Sequence, residues 1–101
     1  MIGIKLIRTT RMSETMPEIS RFYGITIHFF YNEHNPPHFH ARYGDDEAVF
    51  SINTLEIIEG KLPNRALILV VEWALLHRQE LMKDWELITK GSAPNKIKPL
   101  S

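Results

Sequence analysis

His34, His38 and His40 fall within one short segment, His34-Asn35-Pro36-Pro37-His38-Phe39-His40, and make up three of the five histidines in the chain. Imidazole is the commonest metal-ligating side chain and the one that ordinarily titrates near physiological pH. On an extended strand, residues i and i+2 point to the same face, so His38 and His40 share a side. Pro36 and Pro37 fix φ and withhold two N–H donors, which makes the segment before His38 a stiff turn. A same-face histidine pair beside a rigid turn can do two kinds of chemistry. It can ligate a divalent metal such as zinc through His34, His38 and His40, with His28 or Glu47 as other candidate third donors. Three protein ligands with one position left open suit a catalytic ion. Alternatively, His38, His40, Arg42 and Glu47 can form a metal-free site that cleaves RNA. There imidazole or carboxylate moves the proton, and guanidinium stabilises the charge developing on phosphorus. The plain alternative is a polar sheet face without chemistry, since clustered titratable groups are only probabilistic evidence of function.

Those side chains need a sheet to place them. Residues 25–31, rich in β-branched and aromatic types, predict a strand with Ile25, Ile27, Phe29 and Tyr31 on one face. Residues 38–43 predict a second, with Phe39, Ala41 and Tyr43 opposite His38, His40 and Arg42. Gly44-Asp45-Asp46 makes a tight turn into a third strand over 47–53, with Ala48, Phe50 and Ile52 inward and Glu47, Val49 and Ser51 outward. Leu55–Ile58 predicts a short fourth strand ended by Gly60. In hairpin order like faces come together. The polar face then displays His38, His40, Arg42, Glu47 and Ser51, joined by His28, provided that no bulge reverses a strand.

Pro63 and Asn64 predict the start of one long helix that runs to about Lys90, with Gly91 as its stop. At about 100° per residue, Ala66, Leu69, Val70, Trp73, Ala74, His77, Leu81 and Ile88 form a core stripe. His77 reads as a buried histidine bonded to a carbonyl; the sharper reading carries it to the histidine cluster. Trp85 reads as core. Ile68, Val71, Leu75 and Met82 gather on nearly the opposite side, and a second apolar row on one helix predicts an interface with another copy or a partner. The layout is α+β, a small antiparallel β-meander of three to four strands packed against one long C-terminal helix.

At 101 residues the chain has room for one modest core. Residues 1–15 read as an N-terminal extension, with an added edge strand over 2–7 as the alternative; 16–91 read as a single domain, and 92–101 as an extended tail. Twelve basic residues balance twelve acidic ones, so no global field draws the chain to nucleic acid. With no cysteine, disulfides, thiolate zinc sites and cysteine nucleophiles are excluded. No apolar run is long enough for a membrane span, and the N-terminus lacks a secretory apolar stretch, so a cytoplasmic protein is the default.

Four sets of residues carry a resemblance. Met16-Pro17-Glu18-Ile19-Ser20-Arg21-Phe22-Tyr23-Gly24, the His34–Ala41 segment, Leu55-Glu56 with Glu59-Gly60-Lys61-Leu62-Pro63, and Glu72-Trp73 with His77 resemble the bacterial family called domain of unknown function 4160. The resemblance covers about residues 16–90. It implies a cytoplasmic prokaryotic protein. Genes of this family often sit beside a gene for a second uncharacterised domain, number 2442, in an arrangement like that of toxin–antitoxin pairs. No catalytic residue carries over, because the family's activity is not established. The expectation is a component of a two-gene toxin–antitoxin-like module, with an RNA-acting toxin as one form of it and a homodimer or a complex with the adjacent-gene partner as its assembly. The alternatives are a non-catalytic partner-binding or regulatory module, or a small metal-dependent enzyme using the histidine cluster.

Overall fold

The computed structural model describes residues 16–101; the expected extension over 1–15, with its alternative edge strand, lies outside the described residues. Five strands run in chain order across one antiparallel sheet: β1 Glu18–Phe22, β2 Ile25–His28, β3 His38–Tyr43, β4 Asp46–Ser51 and β5 Ile57–Gly60. The α+β meander expected from the sequence is therefore present, with five strands rather than three to four. The strand missed is β1, whose Glu18-Ile19-Ser20-Arg21-Phe22 alternates weakly because a bulge interrupts its pairing with β2 between Glu18 and Ser20. The fourth expected strand lies later than 55–58. Leu55 sits at φ +62° in the preceding turn, and β5 extends to Gly60.

Gly60 cannot be another residue without a shift of the backbone. It sits at φ +79°, and a Cβ there would lie 2.1 Å from the Glu47 carbonyl oxygen. That close approach seats β5 beside Glu47.

The helical segment is two helices, α1 Asn64–Leu76 and α2 Arg78–Thr89, and the expected single helix over 63–90 is corrected on this point. His77 breaks it at φ −126° and ψ 24°, with neither Gly nor Pro nearby. Propensity alone gave no reason to stop there. Tertiary packing does, because α2 sets Trp85 against Phe29 and His38, with ring centroids 6.5 and 5.0 Å apart. At the C-terminal end Gly91, at φ +81°, lets its own N–H reach Ile88 and the Ser92 N–H reach Leu87. This is a Schellman ending that satisfies two otherwise orphaned carbonyls.

One sheet face carries the core. Ile25, Ile27, Phe39, Ala41, Ala48 and Phe50 are fully buried against Val70, Trp73, Ala74 and Leu81. Phe39 stacks on Phe50 at 5.2 Å, and Trp73 meets Phe22 at 5.3 Å. Most of the predicted core stripe is buried, with Leu69 only half-buried. His77 departs from it. It is half-buried and bonded to the Glu80 carboxylate, not to a carbonyl.

Residues 92–101 are extended and held. The Ile97 N–H donates to the Ile19 carbonyl at 2.8 Å, the Trp73 indole donates to the Lys98 carbonyl at 2.8 Å, and Ile97 is buried. The tail therefore covers part of the edge that β1 would otherwise leave open to another strand. No helix among the described residues is long and apolar enough to cross a membrane.

Candidate functional site

The second sheet face is met by α2 only where Trp85 reaches His38, as far as the described residues go, yet it is not a solvent face. His28 is 3% exposed and His40 is 9% exposed. Strand register brings them together, since His28 pairs with His40 across β2–β3 and His40 with Val49 across β3–β4. The two imidazoles stack at 5.3 Å with 17° between their planes. Phe30, the second residue past β2, covers both rings, 4.5 Å from His40 and 5.3 Å from His28. The loop after it returns Glu33 over the face.

Glu33 is the residue that organises the site. Its Oε1 lies 2.6 Å from His38 Nε2 and 2.8 Å from His40 Nε2. The far nitrogens are held as well. The His38 Nδ1–H donates to the Pro36 carbonyl at 2.7 Å, and His40 Nδ1 lies 3.2 Å from Glu47 Oε2. A carbonyl can only accept, so His38 must carry its proton on Nδ1. His40 has a carboxylate against each nitrogen, so its partners favour a proton at both positions. Both rings turn Nε2 toward a single point beside the Glu33 carboxylate. Burial pushes the Glu33 carboxyl up, but hydrogen bonds from His40 and then His38 outweigh it and hold the group below the usual value for Glu.

A second group shares His40: His28, His40 and Glu47 also offer donor atoms within 4.8 Å of one another. Its chemistry differs. His28 Nε2 stands 3.7 Å from Glu47 Oε2, beyond hydrogen-bonding distance, and has no hydrogen-bond partner among the described residues. Burial, with the charge of His40 next in weight, pushes the His28 pKa down to about 4, so this ring is neutral at neutral pH. Arg42 lies 3.3 Å from Glu47 Oε1, and its positive charge opposes a cation there. Glu47 is thus a brace for His40, held on its other side by Arg42.

Among the residues singled out from the sequence, His38, His40, Arg42 and Glu47 are brought onto one face in contact. His34 is not; it is exposed and belongs to neither group, and Glu33 takes the third position. His77 lies apart from both groups, paired with Glu80. The residue that sequence reasoning missed is Glu33; alternation along 25–31 already puts Phe30 on the face of His28, without singling it out as a cover for His40. The only available signal was an acidic residue one position before His34, and period-2 arguments say nothing about where a loop side chain points. Of the second helical row, Ile68 and Leu75 are 63% and 61% exposed, whereas Val71 and Met82 pack partly against the core. The row is split by the break at His77 and is not one continuous seam.

A five-stranded α+β meander with a buried His/Glu cluster on the sheet face opposite its apolar core is the class that the fold and site define. The model for a domain of unknown function, DUF4160, matches residues 24–86, and the chain belongs to that family. The match holds every member of the cluster and both helices up to Glu86, and leaves out β1 and the tail. No curated protein and no solved structure matches the chain.

Proposed function

We propose that Glu33, His38 and His40 form a divalent-metal centre, with zinc a suitable ion, and that the protein is a metal-dependent enzyme acting on a ligand in the cavity beside them. The observation that carries this reading is the convergence of two imidazole Nε2 atoms on one carboxylate oxygen, Glu33 Oε1, at 2.6 and 2.8 Å. The Pro36 carbonyl takes the His38 Nδ1–H, which leaves a lone pair on its Nε2, and Glu47 stands where it can take the His40 Nδ1–H in the same way. A divalent ion among these three atoms uses the two lone pairs and the carboxylate charge. The Pro36 carbonyl and the Glu47 carboxylate are then the outer partners that metal-ligating histidines normally keep. Donors at about 2.0–2.1 Å from a tetrahedral ion lie roughly 3.3 Å apart, so the three atoms must open slightly from hydrogen-bonding distance. The cavity lined by Glu33, His38 and His40 leaves further positions open to water or substrate.

A bound divalent ion supplies Lewis-acid activation of water or of a substrate oxygen. The chain's own part is to fix ring orientation through Pro36 and Glu47, to exclude water from the rear of His40 with Phe30, and to wall one side with Trp85 against His38.

The test is calorimetric titration of the purified protein with Zn²⁺, together with Co²⁺ absorption as a report on geometry. Binding is expected near one ion per chain, with proton release that calorimetry in buffers of different ionisation enthalpy reads directly. Glu33→Gln and His38→Ala should abolish the site, Glu47→Gln should weaken it roughly 10–100-fold, and His34→Ala should leave it unchanged. Absence of binding, or binding that survives both Glu33→Gln and His38→Ala, overturns the proposal.

A further inference from the structure

The cavity in front of the three proposed ligands has walls that metal binding does not use. It measures about 320 Å³ and is lined, beyond Glu33, His38 and His40, by His34, Asn35 and Pro36 on one side and by Val49, Ile58 and Glu59 from the strands. That volume lies at the small end of ligand pockets and suits a small molecule better than a polymer.

Strand register explains how this wall arises. Val49 pairs with Glu59 and Phe50 pairs with Ile57, so Ile58 is an extra residue in a bulge. In regular alternation Ile58 would face the helices. The bulge instead leaves Ile57 against the core and turns Ile58 outward, where it is 49% exposed in the cavity lining. The bulge therefore sets an apolar side chain beside Val49 in the cavity wall. Glu59 completes a cross-strand row, His40–Val49–Glu59, on one face of β3, β4 and β5. Two strand spacings put its backbone roughly 10 Å from that of His40.

Charge narrows the occupant further. Two carboxylates, Glu33 and Glu59, line this cavity, and among the described residues no Lys or Arg does. Arg42 lies on the other side of His40, in a separate cleft with Arg21 and His28. Beyond the proposed ion, a polyanion such as RNA would meet Glu59 with no Lys or Arg among the described lining residues to offset it.

We infer that Val49, Ile58 and Glu59 form a specificity wall that selects a small organic molecule with an oxygen-rich, metal-binding head, an apolar body and a cationic group at its far end. The inference rests on the metal-centre reading: the head sits at Glu33, His38 and His40, the body on Val49 and Ile58, and the cation against Glu59.

The experiment uses the full chain loaded with Zn²⁺, with metal content measured first. Three hydroxamates are titrated as probes with a common chelating head: hexanohydroxamate, its 6-amino derivative, and the six-carbon analogue ending in a carboxylate. The amine-ended probe should bind at least about tenfold tighter than the carboxylate-ended one, since attraction to Glu59 is exchanged for repulsion. Glu59→Gln should reduce that ratio to about threefold or less without changing metal content. Ile58→Ser should weaken hexanohydroxamate while leaving acetohydroxamate, which has no arm, unaffected. A loaded protein that binds all three probes equally, prefers the carboxylate, or releases them to a short single-stranded RNA overturns this inference alone. A protein that takes up no ion overturns the metal centre and the inference together.

Discussion

Phe39 and His40 are neighbours in β3, and both are buried, but they are buried in different ways. Phe39 faces two helices and an aromatic stack. Its burial is a matter of area removed from water, and any apolar neighbour of the right shape contributes. His40 faces no helix. It is covered by one ring, Phe30, and by a loop that brings a carboxylate, and each of its nitrogens has an acidic partner. Burying a polar group costs free energy unless its hydrogen bonds are replaced, so this face depends on a specific set of partners and not on area. One sheet therefore has a tolerant face and an exacting face. The candidate chemistry sits on the exacting one, where a proton or an ion decides whether the partners balance.

The widest separation of the two faces should appear in a pair of adjacent substitutions. Phe39→Ala is expected to destabilise the protein by about 3–5 kcal/mol, through lost transfer energy and a cavity under the helices. His40→Ala should cost less, about 1–3 kcal/mol, chiefly because Glu33 and Glu47 lose their partners. Guanidinium unfolding with a chelator present measures both. Equal costs would mean that the polar face is a second packed core, and the comparison would fail.

A smaller effect is expected from Asp84, which shows what an unbalanced buried carboxylate does. It is 1% exposed, one oxygen accepts the Asn95 N–H at 2.8 Å, and the other has no partner among the described residues. Burial is the main cause that pushes its carboxyl above the usual value, the opposite of Glu33, with Glu80 adding to it and the Asn95 bond opposing it. The folded protein thus holds the Asp84 proton to higher pH than the unfolded chain does. The stability gained is full below the unfolded value and is lost as pH rises through the folded one. Asp84→Asn keeps the bond from Asn95 and removes the charge. It should add about 1 kcal/mol at pH 7 and flatten the loss of stability with rising pH, as read from unfolding midpoints across pH 4–8. A variant less stable than wild type at pH 7 would show that the carboxylate is compensated after all.

The smallest effect belongs to the outer side of α1. Leu75→Glu changes an exposed residue and should move unfolding stability by no more than about 0.5 kcal/mol. Light scattering of wild type and variant then reads whether this row meets a second copy. A variant that unfolds would place Leu75 in the core, where the structure does not put it.

The sequence by itself determined a good deal. Period-2 alternation sorted β2, β3 and β4 into their faces, because a strand's side chains can only alternate, and Gly44 and Gly91 marked turns through backbone freedom. The motif from His34 to His40 located the site, and the spacing of His38, Arg42 and Glu47 across one hairpin already put them on one side. Tertiary structure decided the rest. Glu33 lies in a loop with no period, so only the folded chain shows that it closes over His40 and that His34 stays outside the donor group, whereas alternation from His28 already carries Phe30 to this face. Ile58 follows from a bulge, which a one-residue count cannot reveal. The helix break at His77 has no local breaker; Trp85 packing on Phe29 and His38 accounts for it. Local chemistry fixes which faces a segment can have, but which partner reaches a buried polar atom depends on residues brought together from different parts of the chain.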